Sequence, residues 1–438
     1  MIINFSVRNF GSIKEKQTLS FLANKSDHLE DYYIIEPIKG LRLNKLALIY
    51  GANASGKTTV LKALDFLKDI ITEPLEKKTE KLNYEPFLFD QEMPFQNCFF
   101  ELEFIKNGLR YFYELELNKN CIVFERLSNY NPNKAIVFER VTDELKEIAH
   151  IKIGSKIKNK AFLKRNLEIH TLWNNTVLGG YLKSNIDNIE IDTAIDFFIS
   201  QSPLAEPNHS FRNFVYDLIK DSSLDIKFLI QLLKKADFNF SNLYFKEQKI
   251  PYPNGFENIL NENLTDEGKK LVESLKSKGE FHRINIEINF EHKVNGYNYI
   301  LPLESESLGT QKYFDLAGLL YVILRNDRIL LIDEIESSLH PDLLKYFLLT
   351  YIANSKQASQ LIITTHNREI LADKDLFRND AIWFTDKNED SATELYSLAD
   401  FDSSVVRDTT NVLNTYKSGK LGGVPNLGDY YIDLDDAE

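Results

Sequence analysis

A complete G-x-x-x-x-G-K-[ST] run, Gly51-Ala52-Asn53-Ala54-Ser55-Gly56-Lys57-Thr58, decides most of what this chain can fold into. Glycines let a backbone wrap tightly enough for several N–H groups to point at one anion. A helix that starts there aims its positive dipole end at the same charge. The flanks have the required form. Leu46 to Tyr50 is a short apolar run that ends at Gly51, as a buried parallel strand does. Val60, Leu61, Leu64 and Leu67 then recur at helical spacing. A chance match to the pattern is expected about once per hundred chains of this size, and the strand–turn–helix context lowers that further. Lys57 is expected to reach the β- and γ-phosphates of ATP, and the Thr58 hydroxyl to ligate Mg2+. Gly51, Asn53, Ser55, Gly56, Lys57, Thr58 and Thr59 are the candidate nucleotide contacts.

A second signal lies far downstream. Ile329-Leu330-Leu331-Ile332 is an apolar run that ends in Asp333-Glu334. A buried strand ending in Asp puts that carboxylate at the sheet edge where open α/β sheets bind ligands. Asp333 is therefore the candidate second metal residue, and Glu334 the candidate for polarising the attacking water. His366 follows another apolar strand, Leu361-Ile362-Ile363, and is placed to contact the γ-phosphate and that water. Ser307-Leu308-Gly309-Thr310-Gln311 precedes an apolar helix, Phe314 to Leu324, and offers a hydroxyl and N–H groups to an anion. A lone His or Ser-x-Gly says little; their order around Asp333 carries the weight.

Organisation elsewhere is also readable. Ile2 to Val7 and Gln17 to Leu22 read as strands. Phe100, Leu102 and Phe104 alternate with polar residues, Asn107-Gly108 follows, and Tyr111, Tyr113, Leu115 and Leu117 alternate again. The same grammar returns at Ile284 to Phe290, Asn295-Gly296 and Tyr297 to Leu301. Asn-Gly between alternating runs predicts an antiparallel hairpin. Residues from about 155 to 275 are rich in Lys and Asn and in helical spacing, for example Ile226, Leu229, Ile230 and Leu233, with Pro203 and Pro207 bracketing a break. The expected division is 1–150 and 281–438 as two halves of one domain, interrupted by a mostly helical insertion at 151–280. No heptad pattern is long enough for an extended coiled coil. The acidic end, Leu434 to Glu438, reads as a solvated tail.

Composition sets the outer limits. The 438 residues are 43% hydrophobic and 27% charged, ordinary values for a globular chain. No apolar run reaches membrane-spanning length, and Met1 to Phe5 does not open a secretory signal. Cys98 and Cys121 make no disulfide framework, so a cytoplasmic location is expected. A net charge of −13 disfavours nonspecific nucleic-acid binding by the molecule as a whole. One basic run, Lys152, Lys156, Lys158, Lys160, Lys164 and Arg165, is free of acids.

Taken together, these motifs resemble the ABC-type ATPase head shared by transporters, SMC proteins and related enzymes. Gly51 to Thr58 resembles its Walker A, with the Asn53 and Ser55 common in the SMC branch. Ser307 to Gln311 is similar to a degenerate signature motif, Ile329 to Glu334 to Walker B, Ser337-Ser338-Leu339-His340-Pro341 to the D-loop, and His366 to the switch histidine. The opening Phe5-Ser6-Val7-Arg8-Asn9-Phe10-Gly11-Ser12-Ile13, the block Asp333-Glu334-Ile335-Glu336-Ser337-Ser338-Leu339-His340-Pro341 and the closing Tyr416-Lys417-Ser418-Gly419-Lys420-Leu421-Gly422-Gly423-Val424-Pro425 further resemble the RloA/AbiL-type ATPases, the group that includes the ATPase subunits of PARIS anti-phage systems.

The resemblance implies an α/β head, with a mixed sheet, an antiparallel N-terminal subdomain and a mostly helical insertion. It implies ATP and Mg2+ as ligands, with Glu334 as general base. Two heads would pair head to tail, with Ser307 and Gly309 of one copy facing ATP held by Lys57 of the other. Expected partners are a second copy, a separately encoded nuclease or toxin, and a phage-encoded trigger protein. A DNA-repair or DNA-clamping ATPase of SMC or RecF character is the alternative, and the basic run is its feature. A transporter subunit fits the helical insertion and the SMC-like Walker A poorly. The signature lacks the double Gly of transporters. Gln91 and Gln201 are the candidates for a Q-loop glutamine.

Overall fold

The computed structural model describes residues 1–207, 210–252, 266–279, 281–355, 358–373, 376–402 and 411–425. The acidic tail from Leu434 to Glu438 lies outside them. The chain forms two compact units: one comprises 1–209, 322–337 and 344–438, the other 210–321 and 338–343.

The first unit opens with strands β1 (Ile2–Arg8) and β2 (Gln17–Ser20), a short ribbon of β3 (Ile34–Ile38) and β4 (Leu41–Asn44), and β5 (Leu46–Gly51). All six residues of β5 are buried. The helix Lys57–Thr72 follows and buries Val60, Leu61, Leu64, Leu67 and Ile71. A meander comes next: β6 (Cys98–Lys106), β7 (Leu109–Leu117), β8 (Ile122–Tyr130), β9 (Lys134–Asp143) and β10 (Ile148–Ile153). With β1 and β2 it makes a seven-stranded sheet in the order β10-β9-β8-β7-β6-β1-β2, in which every neighbour pair is antiparallel. The β6–β7 turn is Asn107-Gly108, and both residues have positive φ, 51° and 73°. That is the two-residue turn whose twist matches its strands.

The second unit contains β11 (Asn242–Ile250), β12 (Arg283–Val294) and β13 (Tyr297–Pro302), paired antiparallel in that order. Asn295-Gly296 turns β12 into β13, again at positive φ. Strand β11 was not anticipated. Its alternation is brief, and only Leu243 is fully buried, so pairing with β12 rather than its own pattern makes it a strand. The helix Leu308–Arg325 starts earlier than its apolar run suggests, because Ser307 caps it.

The remaining strands, β14 (Ile329–Ile332), β15 (Gln360–Thr364), β16 (Ile382–Lys387) and β17 (Thr393–Ser397), join β5 in a second sheet of the first unit, ordered β14-β15-β5-β16-β17. The first four of these are mutually parallel, and only β17 runs against them. Burial on both faces explains why β5, β14 and β15 read as unbroken apolar runs. The expected α/β class is what the chain adopts: a mixed set of sheets, an antiparallel N-terminal portion, and a middle region whose helices include Lys160–His170, Val177–Leu182, Ile189–Ile199, Arg212–Lys220, Ile226–Lys235 and Asp266–Ser277. An aromatic cluster binds the two sheets of the first unit through the Lys57–Thr72 helix. Phe66 lies 5.4 Å from Phe10 and 5.8 Å from Phe100, centroid to centroid.

Candidate active site

The parallel strands β14, β15 and β5 end side by side, and the loops that leave them form the site. Gly51 closes β5 where no side chain fits: a Cβ would lie 2.4 Å from the hydroxyls of Ser55 and Thr385. Gly56 has φ +108° and would put a Cβ 2.0 Å from Thr393 Oγ1. Both glycines of the motif are thus demanded by close approach as well as by turning. The helix begins at Lys57 with no side chain capping its N–H groups, which leaves those donors for an anion. Ser55 and Thr385 share a hydroxyl hydrogen bond of 2.6 Å, and Thr393 Oγ1 donates to the Ser55 carbonyl at 2.9 Å. Asn53 sits exposed at the loop tip.

Lys57 is buried and folds back on its own loop. Its Nζ donates to the carbonyls of Gly51 at 3.1 Å and Ala52 at 3.0 Å, and stands 3.5 Å from His366 Nδ1. Burial lowers its pKa, while Asp333, Glu334 and Glu336 oppose that shift by their charge. The Thr58 hydroxyl donates to Asp333 Oδ2 at 2.9 Å. Thr364 donates to the other Asp333 oxygen and accepts from the Glu334 N–H at 2.8 Å. Glu334 has φ +45°, in the left-handed region that a residue with a side chain seldom occupies. Its Oε1 lies 3.8 Å from His366 Nε2. The His366 N–H in turn donates to Glu336. A hydroxyl and a carboxylate side by side are hard oxygen donors of the kind that hold Mg2+ together with substrate phosphates, so the residues present fit that ion.

Ser307 and Gly309 belong to the second unit. There Ser307 Oγ accepts from the Thr310 N–H at 3.1 Å, and a Cβ on Gly309 would meet the Ser338 carbonyl at 3.0 Å. The signature-like and D-loop-like segments therefore touch each other. His340 accepts from the Asp342 N–H at 3.3 Å, a local turn contact. Of the two Q-loop candidates, Gln201 lies away from the acids. Gln91 is exposed before β6. Gln201 is buried and paired with Ile329, at the start of β14. Four residue steps along the strand separate that level from Asp333, about 13 Å. The segment from Gln201 to Ala205 instead extends the sheet beside β14, and the Ala205 carbonyl accepts from the Asp333 N–H at 2.8 Å.

Three groups of residues around the loop were not among the candidate contacts. The opening motif lies against it: Ser12 Oγ is 2.9 Å from Thr59 Oγ1 and 2.8 Å from Thr393 Oγ1, and a Cβ on Gly11 would be 2.9 Å from Thr59. Asn9, fully buried at φ +56°, braces that turn by donating to the carbonyls of Met93 and Gln96, both at 2.8 Å. The closing motif lies on the other side. Gly423 has φ +63°, and a Cβ there would be 3.1 Å from the Thr385 carbonyl and 3.4 Å from Gly51 Cα. Thr364, Thr385 and Thr393 carried no motif signal at all.

A protein-family model described as "AAA domain, putative AbiEii toxin, Type IV TA system" matches residues 46–372. No curated protein matches the sequence. Among solved structures, an SMC head bound to the C-terminal winged-helix domain of ScpA is similar at 13% identity and a TM-score of 0.43, over 90% of this chain and 97% of the other. The SMC head domain from Thermotoga maritima is similar at 14% identity and a TM-score of 0.39, over 90% and 98%. An SMC head with an extended coiled coil, bound to a ScpA C-terminal domain derived from Pyrococcus furiosus, gives 13% identity and a TM-score of 0.39, over 90% and 96%. Among the described residues, no helix is long and apolar enough to cross a membrane.

Proposed function

The chain belongs to this AAA-domain family, and from that premise we propose that it binds ATP with Mg2+ on the Gly51–Thr58 loop and hydrolyses it to ADP and phosphate. One observation carries the reading: Thr58 and Asp333, 275 positions apart in sequence, meet at 2.9 Å beside a loop built for phosphate. Mg2+ held by Thr58 and Asp333 would neutralise developing phosphate charge. Lys57 exchanges its two carbonyl partners for phosphate oxygens. Glu334 takes the proton of the attacking water, and His366, across 3.8 Å, orients that water and the γ-phosphate.

We further propose that 1–150 and 281–438 act as the two halves of one ATPase head around an insertion at 151–280; by compactness, 151–209 pack with the first unit and 281–321 with the second. Ser307 stands exposed at the start of the helix Leu308–Arg325, with Gly309 in its first turn. We assign them to the ATP of a second copy, paired head to tail. The family's description as a toxin of a toxin–antitoxin system supports a place in phage defence. In that role the ATPase senses a phage-encoded trigger and controls a separately encoded nuclease or toxin.

The test is ATP hydrolysis over a protein dilution series for wild type, Lys57→Ala and Glu334→Gln, with mass followed alongside. Activity per subunit should fall on dilution. Glu334→Gln should lose about 100-fold or more in turnover and retain ATP in a stable assembly. Activity independent of concentration that survives Glu334→Gln would overturn the assignment.

One observation favours a second reading, contact with nucleic acid. Lys152, Lys156, Lys158, Lys160, Lys164 and Arg165 are all exposed. Among the described residues, only Lys152 and Lys164 have acidic partners, Glu139 at 3.6 Å and Glu168 at 3.7 Å. Phe162 stands 63% exposed among them. Exposed cations around an open aromatic ring suit a phosphate backbone with unstacked bases.

A further inference from the structure

Thr364 is fully buried at the C-terminal end of β15, between the strand that carries the phosphate loop and the strand that carries the acids. Its neighbours Leu361, Ile362 and Ile363 are apolar and equally buried. Valine would fill the same volume. A hydroxyl there has one proton to give and lone pairs to receive, and it commits both to the acid pair. It donates to Asp333 Oδ1 and accepts from the Glu334 N–H at 2.8 Å. The Thr364 carbonyl accepts from the Ile335 N–H at 3.2 Å. Through one residue, β15 therefore sets both the orientation of the Asp333 carboxylate and the backbone of the left-handed Glu334.

We propose that Thr364 is a positioning residue for the acid pair, holding Asp333 toward the cation and Glu334 toward the water. The proposal rests on the ATPase reading above. The Thr58 hydroxyl that grips Asp333 Oδ2 at 2.9 Å is the one expected to turn to the metal. Once it does, Thr364 is the side chain still holding that carboxylate. Among the described residues, the Thr364 hydroxyl bonds to the acid pair and not to the phosphate loop, so its loss should spare metal-free nucleotide binding. Loss of a group that orients a metal ligand costs about 10–100-fold in metal affinity.

The experiment compares wild type, Thr364→Val and Thr364→Ser. Mn2+ binding to the protein–ATPγS complex is read by electron paramagnetic resonance, and ATPγS affinity is measured in EDTA. The expected result is Mn2+ affinity down about 10–100-fold in Thr364→Val, unchanged ATPγS affinity in EDTA, and recovery in Thr364→Ser. Turnover should follow the Mn2+ result with an unchanged KM for ATP. Wild-type Mn2+ affinity in Thr364→Val, or a Thr364→Ser variant as impaired as the valine, would overturn the assignment while leaving the ATPase reading intact. If Thr364→Val also loses ATPγS binding in EDTA, Thr364 serves the fold of the site and the proposal fails. A wild-type protein that binds no ATPγS would overturn the ATPase reading and this proposal with it.

Discussion

Replacing Gly423 with alanine should weaken ATP binding, although the residue lies 372 positions from the phosphate loop it touches. Gly423 is held from both sides. Its N–H donates to Asp386 at 2.8 Å, and its carbonyl accepts from the Tyr416 hydroxyl at 2.8 Å. Tyr416 packs on Tyr50 and Phe384, with ring centroids 6.3 and 5.5 Å away. The segment therefore cannot drift outward freely when crowded. Two costs follow from the substitution. Alanine at φ +63° pays about 1–2 kcal/mol for the left-handed conformation. Its Cβ at 3.1 Å from the Thr385 carbonyl and 3.4 Å from Gly51 Cα meets backbone, which cannot rotate away. Crowding of that kind adds about 1–3 kcal/mol. Gly419 isolates the first cost, because it has φ +76° and nothing within 4 Å of its would-be Cβ. Both variants should lose stability in urea unfolding, Gly423→Ala more than Gly419→Ala. If the extra strain is relieved by displacing Gly51, ATP affinity falls about 5-fold or more in Gly423→Ala, measured by titration with a fluorescent ATP analogue. Gly419→Ala should bind as wild type does. Equal ATP affinities in the two variants would refute the claim that the closing segment props the phosphate loop.

Two further outcomes follow from the structure. Burial drives the Asp315 carboxyl up to about 6, against the opposing pull of the Phe211 N–H and the Arg212 and Lys312 charges. A carboxyl whose folded pKa is raised binds its proton more tightly folded than unfolded, so it costs stability as pH rises past the unfolded value of 3.8 and up to about 6. Asp315→Asn should therefore gain about 1–2 kcal/mol over wild type between pH 5 and pH 8 in urea unfolding; a difference that does not change with pH refutes the ionisation argument. For the basic run, Lys158→Glu with Arg165→Glu should abolish salt-sensitive retention of single-stranded DNA while leaving ATP turnover unchanged. Undiminished retention would remove the nucleic-acid reading.

Local grammar made several pieces of the fold legible from sequence. The two hairpins were written in Asn-Gly turns flanked by alternation, because only such residues accept positive φ at both turn positions. Strand β5 and its helix were announced by an apolar run, glycines and a lysine, all within about twenty residues. Helical spacing located the helix Ile226–Lys235. Each of these depends on residues close in the chain, where period and conformation are coupled.

What sequence alone determined, then, was the inventory: a phosphate loop, acids at a strand end, a histidine after another strand, two hairpins and an α/β class. Tertiary structure decided which of these stand together. Asp333 reaches Thr58 because β14 and β5 flank β15 in one parallel sheet. That same sheet order carries Gln201 to the wrong end of β14. It also gives Thr364, Thr393 and Gly423 their places around the loop, although threonine and glycine are common residues and these three stand in no recognisable phosphate-binding pattern. The reason is physical. A pattern records the spacing of residues along one element, whereas a contact across 30 to 380 positions is set by strand order and close packing, and neither leaves a periodic trace in the chain.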